Sequence, residues 1–113
     1  MDEKPVFFKN VNQAIDAIPT ESIVSRTFLR AGETKAILFA FDKGQELSEH
    51  TAAVAAILHF VDGEAELTFG DERHTAASGS WVFLPPRMKH SVMALTPLKM
   101  LLYLLPSDGK SSQ

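Results

Sequence analysis

Cysteine is absent from this chain of 113 residues. A thiol nucleophile, a thiolate metal site and a disulfide framework are therefore excluded. Also missing is any apolar run of about 18 residues, the length at which a helix begins to span a bilayer. Lysines and arginines are scattered singly and the formal net charge is -3. No basic stripe is available for phosphate backbones or anionic lipid, so neither nucleic acid nor a membrane is an expected partner. None of the serines lies in a Gly-x-Ser-x-Gly elbow, and no glycine-rich phosphate cradle or dinucleotide fingerprint occurs. The amino-terminal Met1 to Pro5 is acidic and polar, without the charged-then-apolar layout of a secretion signal, so the expected location is cytoplasmic.

What remains is an ordinary globular composition, 45% hydrophobic and 22% charged, of a size for one domain. Folding a chain of this mass buries roughly two thirds of its unfolded surface, enough for one modest core. Asn10 to Ile18 reads as a short helix stopped by Pro19. After it come β-rich runs at 23–30, 35–42, 54–61, 64–70, 72–76, 81–84, 88–95 and 98–105. Turn chemistry separates them, as at Lys43-Gly44, Asp62-Gly63, Gly70-Asp71, Ser78-Gly79 and Pro85-Pro86. Many short strands punctuated by glycine predict an all-β fold, an antiparallel barrel or jelly roll with at most one short N-terminal helix. The expected division is an arm over 1–21, the barrel over 22–106 and a polar, flexible tail over 107–113.

Two stretches stand out. Gly44 to Ala52 reads Gly-Gln-Glu-Leu-Ser-Glu-His-Thr-Ala, and Gly79 to His90 reads Gly-Ser-Trp-Val-Phe-Leu-Pro-Pro-Arg-Met-Lys-His. Each places a histidine shortly after a glycine turn, among apolar runs. The pair resembles the two motifs of the cupin superfamily, RmlC-like double-stranded β-helices that hold a metal or small ligand among inward-facing histidines. The resemblance covers roughly Ser22 to Pro106. It implies that His50 and His90 meet inside the barrel as candidate metal ligands. The same pattern has a second histidine where this chain has Ala52, and usually a glutamate where it has Ala56.

Neutral imidazoles and a carboxylate suit first-row transition metals. Alanine offers no donor atom, so the expected cofactor is none, or a weakly bound divalent transition metal on His50 and His90. His59, opposite in strand parity to Ala56, and His74, on a polar hairpin, are not expected to complete the set. If His50 faces inward, alternation carries Val54, Ala56, Leu58 and Phe60 with it. With Ala52, Val92, Met100 and either Leu38 or Phe39, these would line a small apolar pocket. The expected ligand-binding residues are His50, His90, Ala52, Ala56, Leu58, Phe60 and Met100, and the expected partner is a small, largely apolar molecule. The alternative implied by the resemblance is a metal-dependent enzyme of the dioxygenase, isomerase or lyase kind.

The runs at 54–61 and 98–105 are apolar on both faces, whereas Glu64 to Phe69 alternates cleanly. Something must cover the outward Ile57, His59, Val61, Leu101 and Tyr103. A homodimer through this face is the expectation; the alternative is that the amino-terminal segment folds back over it. Trp81 and Phe83 are assigned to core or interface.

Overall fold

The computed structural model describes residues 4–106, except the side chain of His50; the tail expected over 107–113 lies outside the described residues. Nine strands follow one short helical turn: β1 (Ile23–Ala31), β2 (Thr34–Phe41), β3 (Glu46–His50), β4 (Ala56–Asp62), β5 (Ala65–Phe69), β6 (Glu72–Ala76), β7 (Trp81–Leu84), β8 (His90–Ala94) and β9 (Leu98–Leu104). They form a five-stranded sheet, β1-β2-β9-β4-β7, and a four-stranded sheet, β3-β8-β5-β6. Every strand pair is antiparallel. The all-β barrel read from the turn spacing is the fold observed.

The core lies between the sheets. Phe41, Leu58, Phe60, Leu67, Val92, Leu98 and Met100 are buried in one cluster, and each comes from the inward parity of its strand. On β2 that parity belongs to Phe39 and Phe41, while Leu38 packs in a second cluster with Ala14 and Leu101. This second cluster lies on the outer face of the five-stranded sheet. It is closed by Phe8, Val11 and Ile15 of the amino-terminal arm, together with Phe28, Val61 and Tyr103. The arm therefore covers much of the face that alternation left bare.

The helix expected over Asn10–Ile18 is only a 3-10 turn, Val11–Ala14. Asn10 caps it by accepting a hydrogen bond from the Asn12 amide at 3.0 Å. Ile15 is already extended, at φ -133°, and the sheet takes the freed carbonyls. Lys99 donates to Asn12 and Ile15 carbonyls at 2.9 and 2.6 Å, and Arg26 to the Ala14 carbonyl at 3.0 Å. Cations at a C-terminal turn satisfy acceptors that further helix would otherwise bond.

β3 was not among the expected strands. Glu46 to His50 has one apolar residue, Leu47, and too little alternation to announce itself. It is an edge strand that pairs only with β8, where a polar outer side is ordinary.

Among the described residues, four connections between the sheets contain left-handed backbone, at Gly44, Gly63, Gly79 and Arg87, and two of them are instructive. Gly63, between β4 and β5, has φ +92°, and an added Cβ would lie 2.1 Å from the Pro97 carbonyl oxygen. Arg87, between β7 and β8, has φ +66° and does carry a side chain.

Candidate functional site

The two glycine-to-histidine segments converge because β3 pairs with β8. The Gly44 amide donates to the Ala94 carbonyl at 2.8 Å, and the Ala94 amide donates to the Gln45 carbonyl at 2.9 Å. From there the register runs Glu46 opposite Met93 and Leu47 opposite Val92. An irregularity follows, after which His50 stands opposite His90. At the far end the Arg87 amide donates to the Ala52 carbonyl at 2.7 Å. Backbone hydrogen bonds thus tie the first segment at both ends, to the far end of β8 and to the turn before it, and the histidines occupy directly paired positions.

The register continues across the sheet. His90 is opposite Phe69, and Phe69 is opposite Glu72, so His50, His90, Phe69 and Glu72 form one cross-strand row. His90 is buried. Its Nδ1 lies 3.0 Å from the Met88 carbonyl oxygen. A carbonyl can only accept, so this bond places a proton on Nδ1 and leaves the neutral ring's lone pair on Nε2.

The other expected pocket residues fall in two groups. Ala56, Leu58, Phe60 and Met100 are buried in the core between the sheets, where Ala56 is opposite both Leu84 and Leu104, and Phe60 is opposite Met100. Ala52 lies beyond β3 and is half-buried. Val54 precedes β4 and is half-buried as well.

Neither Ala52 nor Ala56 has a donor atom, and among the described residues no three histidine, aspartate or glutamate side chains gather as a metal site would require. The side-chain chemistry at these positions does not fit the complete ligand set that the motif resemblance implies. His59 is on the outer parity of β4, paired with Trp81 and Leu101. His74 is exposed on β6 and bonds Glu72 through Nε2 at 3.1 Å.

A further feature was not foreseen from the sequence. A groove of about 440 Å³ lies where the edge strands β6 and β7 of the two sheets face each other. Phe69, His74, Thr75, Ser80, Trp81 and Phe83 help to line it. Trp81 is 59% and Phe83 50% exposed, so neither is core in this chain. Their aromatic character gave no sign of this, because an edge strand is recognised only once the strand order is known.

A family model described as "Cupin domain" matches residues 37–104. No functionally curated protein is detectably similar in sequence. Among solved structures, a conserved protein of unknown function from Streptococcus pyogenes is 25% identical. It superposes with a TM-score of 0.79 over 95% of this chain and 91% of its own. A cupin superfamily protein from Desulfitobacterium hafniense gives 21% identity and a TM-score of 0.80, covering 95% and 94% of the two chains. KdgF from a Halomonas species gives 22% and 0.72, covering 87% and 94%.

Proposed function

Given that the chain belongs to the cupin family, we propose that it binds a small, largely apolar molecule inside the barrel, with His90 and His50 at the polar end of the site. The observation that carries this reading is the pairing of His50 with His90 next to alanines at both positions where the motif would hold further ligands. Alanine at those positions puts small apolar side chains in place of donors, and an apolar wall with a few fixed polar groups is what recognises an apolar ligand. The buried His90 is fixed in orientation by the bond from its Nδ1 to the Met88 carbonyl, and supplies an imidazole at the polar end of that site. In this reading a transition metal is absent or weakly held, because two imidazoles leave most of a coordination shell to water.

Elemental analysis of tag-free protein prepared without chelators tests this reading. Metal-free protein is the expected result, and stoichiometric iron, nickel, copper or zinc would overturn it. Calorimetry with zinc or nickel supplies the converse. Ala52→His alone, and together with Ala56→Glu, is expected to raise affinity by roughly tenfold or more, since donors return to a built scaffold. Circular dichroism must accompany the double variant, because Ala56 is buried.

The metal-dependent enzyme is the second reading, and the oriented imidazole of His90 favours it, since metal-bound histidines are commonly fixed through their other nitrogen. A homodimer also belongs to the proposal. The arm already packs on Val61, Leu101 and Tyr103, which leaves Ile57 and His59, beside Phe83 and Trp81, as the contact. Light scattering at micromolar concentration should give twice the chain mass, and Ile57→Asp should reduce it by placing an unpaired charge in that contact.

A further inference from the structure

The groove between β6 and β7 lies at the open edge of the barrel; the core residues Leu67 and Ala76 help to line it, as does Phe69, the cross-strand neighbour of His90, but neither His50 nor His90 is among the described residues that do. Its lining combines three aromatic rings, Phe69, Trp81 and Phe83, with His74, Thr75 and Ser80, and it contains no lysine or arginine. The His74 ring packs 5.4 Å from that of Phe69 and is bonded to the Glu72 carboxylate at 3.1 Å. Glu72 is thus held beside the groove while staying exposed to solvent. Aromatic faces are negative at their centres, and a carboxylate nearby adds to that field. The net charge of -3 favours approach of a cation over that of an anion.

We propose that this groove is a binding site for a small organic ammonium ion with an apolar body, held by the rings of Phe69, Trp81 and Phe83 and by the nearby carboxylate of Glu72. The site adjoins the barrel site through Phe69, which is paired with His90, but its described residues include neither His50 nor His90, and it stands whether or not they bind anything. Thr75 and Ser80 give the groove hydroxyls that can hydrogen-bond a polar substituent on the ligand, and the volume of about 440 Å³ is within the ordinary range of small-molecule sites.

Trp81 is the only tryptophan in the chain, so intrinsic fluorescence reports on this groove directly. Titration with benzyltrimethylammonium should change the emission saturably, whereas benzyl alcohol and benzoate, of similar shape but neutral and anionic, should bind at least about fivefold more weakly. Calorimetry then reads the variants. Trp81→Ala should weaken the cation by about fivefold and Glu72→Gln by about threefold, with benzyl alcohol unaffected by the second. Both side chains are solvent-exposed, so the fold is expected to survive, and light scattering on each variant separates lost binding from altered assembly. Absence of saturable cation binding at millimolar concentration would overturn the site. Equal affinity for the neutral probe, or an unchanged affinity in Glu72→Gln, would overturn its assignment to a cation.

Discussion

The two sheets bury their residues differently. In the five-stranded sheet, β4 and β9 are apolar on both faces, and the outer face is closed by the arm through Leu38, Leu101, Val61 and Tyr103. In the four-stranded sheet, β5 keeps alternation, with Ala65 and Leu67 inside and Glu66 and Thr68 on the other face, while β6 is exposed until Ala76. Arg73 is paired with Glu66 on this wet face, which raises the arginine's already high pKa; an exposed pair of this kind adds little to stability. A strand apolar on both faces thus signals a third layer, and here a segment of the same chain provides much of it. Cover is incomplete towards β7, where Trp81 and Phe83 remain exposed. Both proposals for binding at the surface begin at that boundary.

The largest effect should come from the link between the sheets. Gly63→Ala puts a Cβ against the Pro97 carbonyl at 2.1 Å, with the Thr96 Oγ1 at 2.9 Å, on backbone of positive φ that alanine disfavours. Backbone must move, so a cost of about 3–5 kcal/mol is expected in urea unfolding. A loss below about 1 kcal/mol would mean that this crossing is not the rigid joint described.

Next in size is a direct comparison of the two apolar layers. Leu67→Ala in the barrel interior and Leu38→Ala under the arm each remove a buried side chain, at 2% and 0% exposure. Each should cost about 2–5 kcal/mol. If the arm were loosely attached in solution, Leu38→Ala would cost less than about 1 kcal/mol while Leu67→Ala kept its full effect. A Lys99→Met change, which removes the bonds to the Asn12 and Ile15 carbonyls, should lower stability by about 1–2 kcal/mol for the same reason.

Much of this architecture was legible from the residues. β-rich runs separated by glycine and proline turns located eight of the strands. The both-face runs at β4 and β9 announced that something covers them, but not what: a partner and the chain's own arm bury leucine equally well. The arm was named only as the alternative cover, and its helix was overextended because it is cut short by tertiary bonds from Lys99 and Arg26 to its carbonyls, which local propensity does not contain. For the candidate site, spacing from glycine to histidine identified His50 and His90, and the register pairs them. The tautomer of His90 was hidden, since it depends on a carbonyl positioned by the turn at Met88. So was the groove, which is formed by two edge strands whose neighbours in space are set by sheet order.

The smallest expected effect returns to the crossings, and it has the opposite sign. Arg87 occupies left-handed backbone at φ +66°, where a side chain costs about 1–2 kcal/mol relative to glycine. Its amide donates to the Ala52 carbonyl at 2.7 Å, a bond that glycine would preserve, and its side chain is exposed. Arg87→Gly therefore relieves strain without removing core contacts, while the added freedom of glycine in the unfolded chain takes back part of the gain. A net stabilisation of about 0.5–1 kcal/mol is expected, seen as a higher urea midpoint with unchanged slope. Gly63 and Arg87 serve similar connections between the same two sheets, yet one excludes a Cβ by contact and the other carries one at a strain cost. If Arg87→Gly destabilised the protein instead, the guanidinium would have to hold the loop through contacts of its own, and the left-handed turn would be set by the side chain in place of the backbone.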